Sequence, residues 1–265
     1  MSQPSGPEGE PELAPLRHRS ILDSLVQHGQ VNTQQLATRF GVTHETVRKD
    51  LIYLQERGLL RRVHAGAVGP ESVAHEPWVN DRTDNLPQKR RIAAAAAELV
   101  PASGAVLLDS GSTTAALAHQ MQSSGSLQVI TNSLPVALTL LPKVGSVTTL
   151  GGRVRPETQA TADEWALAHL SDMRVDVAFL GANAACLDQG LATPDRAEAA
   201  VKAAFIRTAR RRVLLADHSK FERESVYSFA TLTDIDVLVT DAQLSARTAA
   251  AIERTHLVEV IRASA

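Results

Sequence analysis

The sequence predicts an α/β protein in two parts: a winged helix-turn-helix over residues 16–70 and, from residue 89 to 265, a mostly parallel sheet flanked by helices. Three observations predict it. Positive charge gathers near one end, three short amphipathic helical patterns punctuated by glycine occupy that end, and strand-like apolar runs alternate with helical stretches through the rest. With 44% hydrophobic residues over 265 positions the chain can bury a sizeable core. No stretch reaches the roughly 18 uninterrupted apolar residues of a membrane span.

Residues 1–15 carry Pro4, Pro7, Pro11 and Pro15 among Glu and Gly, with neither a basic start nor an apolar centre. They read as a disordered tail and not a secretory signal, so the expected compartment is the cytoplasm. Cys186 is the only cysteine, which excludes an internal disulfide and a zinc site built from several thiolates; the nine histidines show no paired metal-ligand spacing. No metal and no cofactor is expected.

The charge is uneven. Between Arg17 and His64 eight Lys or Arg face four acids, +4, so a total of −2 leaves −6 for the remainder. A basic module on an acidic body is the asymmetry expected when one part meets a polyanion. In that module Leu16, Ile21, Leu22, Leu25 and Val26 suit a first helix ending near Gly29. Asn32 is a candidate cap for a second helix, with Gln35 three residues on, Leu36 and Phe40 facing inward, and Gly41 making the turn. A third helix begins at Thr43 and buries Val47, Leu51 and Leu54. Its other side presents His44, Thr46, Arg48 and Lys49, the side chains that would enter a major groove. Gly58 ends it, and Leu59 to Val68 reads as a hairpin wing bringing Arg61 and Arg62, with His64, near phosphates. His44 and Thr46 suit base contact, and Arg48 and Lys49 suit backbone or bases equally.

A connector, residues 71–88, leads into the body. Strand-like runs are Ala105 to Asp109, Leu127 to Ile130, Val147 to Leu150, Val175 to Leu180, Val213 to Ala216, Val237 to Thr240 and Leu257 to Ile261; helical stretches separate most of them. Parallel sheets bind ligands beyond the carboxyl ends of their strands, so the residues after each run matter most. Ser110-Gly111-Ser112-Thr113-Thr114 offers a glycine turn, free helix N–H groups and hydroxyls, which is an anion cradle. Thr131-Asn132-Ser133, Gly151-Gly152-Arg153, Gly181-Ala182-Asn183 and Asp217-His218-Ser219-Lys220 add small and polar residues. A phosphorylated polyol or sugar fits this inventory better than an apolar ligand.

These residues resemble a known family. The stretch from Arg17 through Ala67, with THETVRKDL (43–51) and LQERGLLRRVHAGA (54–67), resembles the DNA-binding end of DeoR-type bacterial transcriptional regulators. The resemblance runs on to about Asp241 through Arg82, Asn85, Lys89, DSGSTT (109–114), TNS (131–133), LGG (150–152), DVAFLGA (176–182) and ADHSKF (216–221). It implies a repressor, less often an activator, of sugar-utilisation genes, with operator DNA and a phosphorylated sugar as partners. The body is similar to the fold of ribose-5-phosphate isomerases. By that resemblance Ser110 to Thr114 and Lys89 hold the phosphate, while Thr131, Asn132, Gly151, Gly152, Asp195, Lys202, Asp217 and Lys220 line the sugar end. Two departures stand out: Gly181-Ala182-Asn183-Ala184 replaces the isomerases' acidic loop, which argues for sensing without turnover, and Ala65 stands where the family has a wing glycine. A two-fold operator and a homodimer or homotetramer are expected. The alternative from another class is an isomerase-like enzyme with an accessory N-terminal module; a third is a protein-binding winged helix on a small-molecule domain.

Overall fold

The computed structural model describes residues 13–28, 30–57, 59–63, 66–69, 82 and 84–264. The chain divides at residue 75 into two compact units. The expectations for residues 1–12 of the tail, Gly29, Gly58, His64, Ala65 and most of the connector lie outside the described residues; Ala14 and Pro15, expected in the tail, already belong to the first helix.

The first unit runs α1 (Ala14–His28), β1 (Gln30–Asn32), α2 (Thr33–Phe40), α3 (His44–Glu56), β2 (Arg61–Val63) and β3 (Gly66–Val68). Asn32 Oδ1 accepts the N–H groups of Gln34 (2.8 Å) and Gln35 (3.2 Å), so α2 begins where the cap residue predicts. Gly41 leaves α2 at φ 63°, and Thr43 Oγ1 accepts the Thr46 N–H at 3.2 Å to open α3. Ile21, Leu25, Leu36, Phe40, Val47, Leu51 and Leu54 form the core. Leu16 does not join it and is 54% exposed, because the buried face of α1 runs through Arg17, Ile21, Ser24 and Leu25. The wing hairpin is present, and β1 adds an unanticipated third strand in the order β1-β3-β2. Gly66 pairs with Asn32 there, and a Cβ at Gly66 would overlap the Val31 carbonyl.

The second unit runs α4 (Leu86–Ala97), β4 (Gly104–Leu108), α5 (Ser112–Gln120), β5 (Ser124–Thr131), α6 (Leu134–Leu140), β6 (Val144–Thr149), β7 (Val154–Arg155), β8 (Ala160–Thr161), α7 (Glu164–Ser171) and β9 (Val175–Gly181). It continues with β10 (Ala184–Cys186), β11 (Gly190–Thr193), α8 (Arg196–Thr208), β12 (Ala209–Leu215), β13 (Tyr227–Ala230), β14 (Val237–Asp241), α9 (Ala246–His256) and β15 (Glu259–Ala263). Seven strands form one parallel sheet in the order β15-β14-β12-β9-β4-β5-β6.

Alternation along the strands fills both faces: Val106, Leu108, Val177 and Phe179 meet α4, α5 and α6, whereas Leu107, Ala178 and Leu180 join the core of α7, α8 and α9. Each anticipated run lies in this sheet, with boundaries moved by a few residues. β12 starts earlier than its apolar run because its backbone pairs with β9 from Ala209 onward, and Arg210, Arg211 and Arg212 there face Asp176, Glu259 and Asp236. The antiparallel β10-β11-β13 sheet and the β7-β8 hairpin were not anticipated, since strands of two to four residues show no readable period. From β4 the chain steps outward to β5 and β6, then returns to place β9 on β4's other side. The β4/β9 junction is therefore the topological switch point, the crevice where such sheets bind ligands.

Candidate functional sites

In the first unit, the exposed side of α3 and the wing bound a polar groove lined by Asn32, Gln34, His44, Glu45, Arg48 and Arg62, with Gln55 and Gly66 behind. Gln55 Oε1 accepts the Arg62 N–H at 2.9 Å, tying the wing to α3. Of the anticipated residues, His44, Arg48 and Arg62 line this groove. Thr43 and Lys49 are exposed and Thr46 half-buried beside it; the Arg61 side chain lies outside the described residues. The hydroxyls of Thr43 and Thr46 hydrogen-bond each other at 2.9 Å, which fixes the first turn of α3.

Behind that face Asp50 is buried against α1. Arg17 donates to both its carboxylate oxygens, at 2.7 and 3.0 Å, and His18 Nε2 lies 2.9 Å from Oδ1. His18 stacks on Tyr53, and Arg57 sits 3.7 Å over the same ring. A buried, bidentate pair is directional, so it sets the angle at which α1 carries α3. Asp50 is neutralised from within, and the outward face keeps its positive charge.

In the second unit a cleft opens at the switch point, lined by Arg82, Ser110 to Thr114, Thr158, Gly181, Asn183, Glu198, Lys202 and Lys220. Helix α5 starts here. Its N-cap is Gly111 at φ 131°, a conformation reserved for glycine, with no side-chain cap, so its first N–H groups face the cleft unpaired by a side chain. Thr114 Oγ1 turns back to the Gly111 carbonyl at 3.0 Å, whereas Ser112 and Thr113 make no side-chain hydrogen bond among the described residues.

The floor is a carboxylate that the sequence reading left out of the site. Asp109, fully buried, accepts the N–H of Ser110 (2.8 Å) and of Gly181 (3.0 Å) and pairs with Lys202 Nζ, which also donates to the Gly181 carbonyl at 3.1 Å. One residue thus joins the ends of β4 and β9 to α8. A second missed carboxylate, Glu198, accepts from Thr158 (2.6 Å) and Thr193 (3.4 Å) and pairs with Arg155 Nη1 at 2.7 Å. A signal existed for both: Asp109 ends an apolar strand, and Glu198 and Lys202 stand four apart on the face of α8 that buries Val201 and Phe205. Arg155 and Thr158, on the short β7-β8 hairpin, carried no comparable signal.

Beside the cleft, Lys89 is buried, donates to the Arg82 carbonyl at 3.1 Å and shares Asp217 with Lys220. Burial lowers the Lys89 pKa despite Asp217 and Asp84. Burial lowers Lys220 further, to about 8, with Arg223, Lys89 and Arg82 adding to the effect against Asp217. Burial works against the Asp217 carboxylate, but Lys220, Ser219 and Lys89 outweigh it and hold the group below the usual range. Asn85 donates to Asp217 Oδ1 at 3.0 Å, orienting it. This corner holds more cations than anions.

Other anticipated residues lie elsewhere at the carboxyl edge. Thr131 Oγ1 accepts the Ser133 N–H, and Asn132 Nδ2 donates to the Thr161 carbonyl at 3.1 Å; Asn132 Oδ1 is buried with no hydrogen-bond partner among the described residues. The space beside Gly152 (φ 122°) is filled by Asp163, which accepts the Arg153, Trp165 and Ala166 N–H groups and starts α7. Gly151 abuts His169. Asp195 caps α8 through the Glu198 N–H at 2.9 Å.

Comparison with known proteins assigns each unit to a known domain family. A DeoR-like helix-turn-helix domain matches residues 17–73, and a DeoR C-terminal sensor domain matches residues 84–242. The glycerol-3-phosphate regulon repressor of Escherichia coli K12 is 34% identical over 227 residues, 85% of this chain and 90% of its own. The HTH-type transcriptional regulator GlpR of Haloferax volcanii is 34% identical over 245 residues, 92% and 96% of the two chains. Among solved structures, ribose 5-phosphate isomerase A of Methanocaldococcus jannaschii is 20% identical, covering 52% of this chain and 55% of that one, with a TM-score of 0.38; the likeness is too distant to carry chemistry across. The chain belongs to the DeoR family of helix-turn-helix transcriptional regulators with a C-terminal sensor domain.

Proposed function

We propose that this regulator is a repressor whose first unit, residues 16–70, binds operator DNA and whose second, residues 89–265, senses a short phosphorylated polyol or sugar in the cytoplasm. The observation that carries the sensor reading is the start of α5: unpaired helix N–H groups and two unengaged hydroxyls open on a cleft shared with Arg82, Lys202 and Lys220. A phosphoryl dianion satisfies all of these together. Relatives named as glycerol-3-phosphate regulon repressors support an effector of that chemistry.

A ligand that binds one arrangement of the regulator better than another shifts the equilibrium between states of different DNA affinity. Sensing without turnover is the accompanying reading. Proton shuttling between sugar carbons needs a free base, whereas Asp109 is held by Lys202 and two N–H groups, Glu198 by Arg155 and two hydroxyls, and the loop beside them offers an amide, Asn183.

On the DNA side, His44 and Thr46 read base edges, with Thr43, Arg48, Lys49, Arg61 and Arg62 holding backbone or bases, and two copies of the chain address two half-sites. A thermal-shift screen of phosphorylated sugars and polyols tests the sensor reading. A ligand should raise the melting temperature, and Thr113→Val or Lys89→Ala should weaken the response; silence towards every phosphorylated compound sinks it.

A further inference from the structure

The two edges of the seven-stranded sheet are unlike each other. At one edge β15 carries Glu259 and Arg262 among its five residues, and Arg211 pairs with Glu259 at 3.4 Å, the charged guard expected of an exposed edge. At the other edge β6, Val-Gly-Ser-Val-Thr-Thr, has no charge, no proline and, among the described residues, one strand neighbour, β5. The helix beside it, α6, turns Leu134 (40% exposed) and Leu138 (70%) to solvent, and Leu141 (59%) follows at its end. These positions are four and three apart, one stripe on one helix face.

The lack of charge extends well beyond these elements. In the 43 residues from Ser110 to Gly152 there is no Asp, Glu or Arg and one Lys, where the chain's 21% would put about nine charged residues. That residue, Lys143, is already engaged: its ammonium donates to the carbonyls of Ala118, His119 and Met121 at the end of α5. Part of this segment is buried core, where charge is not expected; on its exposed part, α6 and β6, the same lack of charge is what the core of an interface shows.

We propose that α6 and β6 form the two-fold contact between two copies of this chain, with β6 pairing antiparallel to its counterpart and the α6 leucines packing across the axis. The inference rests on the oligomeric reading above and adds the surface. A second copy fits because a two-fold contact sets each residue of a patch against the same patch, an arrangement that charges of one sign oppose and this neutral one allows. An unguarded edge strand is by geometry complementary to its own copy.

Sedimentation analysis of the full chain at micromolar concentration tests the proposal. The wild type should sediment as a dimer or as a pair of dimers, and Leu138→Glu should raise the dimer dissociation constant by about tenfold or more, with the circular-dichroism spectrum retained. If Leu138→Glu fails to fold, cross-linking decides: in a Cys186→Ser background, Ser146→Cys should join two copies through a short bismaleimide and Arg262→Cys on the opposite edge should not. A monomeric wild type, an unchanged mass in folded Leu138→Glu, or cross-linking confined to position 262 overturns the assignment. Retained response to phosphorylated ligands in Leu138→Glu keeps this outcome separate from any failure of the sensor reading.

Discussion

Lys220 shows how one residue can link effector binding to pH. The unfolded chain keeps its proton up to the ordinary 10.5, whereas the folded chain releases it near 8. Between these values the unfolded state binds more protons, so the Lys220 contribution makes stability rise with pH. A bound phosphoryl dianion favours the ammonium, so binding should take up a proton near pH 8 and weaken as pH rises through it. Calorimetry in buffers of different ionisation enthalpy will read that uptake, and Lys220→Met should abolish it. The Asp109–Lys202 pair makes a second prediction. Asp109→Ala strands a buried ammonium and two N–H groups and should cost about 3–5 kcal/mol in denaturant unfolding, while Asp109→Ala with Lys202→Met should recover part of the loss. Additive losses would show that the pair is not coupled.

Caps and turns decide where elements begin, and they were the most legible features of the sequence. Asn32, Thr43, Gly41 and Gly111 each stand where local chemistry alone places a helix boundary. Asn32→Ala should therefore cost the first unit about 1 kcal/mol, read as a lower melting temperature, because two N–H groups of α2 lose their acceptor. The pair Gly151-Gly152 read as small residues that let a ligand approach, whereas the space beside Gly152 is taken by Asp163. Gly152→Ala forces a Cβ onto the Asp163 carboxylate at a positive φ and should loosen the start of α7, destabilising the sensor unit by about 1–3 kcal/mol in chemical denaturation. Nothing local to residues 151–152 announces Asp163, which approaches from eleven residues on.

For the whole molecule, the regulator reading joins a cationic groove to an anion cleft by a coupling free energy, and that coupling is reciprocal: whatever factor the effector imposes on operator affinity, the operator must impose on effector affinity. Titrating each ligand in the presence of the other measures both factors, and unequal values would mean that a further equilibrium intervenes. Operator binding should weaken steeply with salt, and Arg62→Ala should reduce the slope of log affinity against log salt by about one, the signature of one lost phosphate contact. An unchanged slope would remove Arg62 from the backbone contacts.

The sequence by itself determined what depends on near neighbours along the chain: the three helices and hairpin of the first unit, the seven strands, the glycine-started α5 and the uneven charge. Those features follow from periodicity, capping and φ preference, which act over a few residues. Only the tertiary structure decided which strand ends meet. The return of the chain to place β9 beside β4 brings Asp109 to Gly181 and Lys202, across 72 and 93 residues, and the β7-β8 hairpin brings Arg155 to Glu198. Sheet order is set by burying both faces at once, a property of all the elements together, so a site built between strands becomes visible only when the sheet is complete.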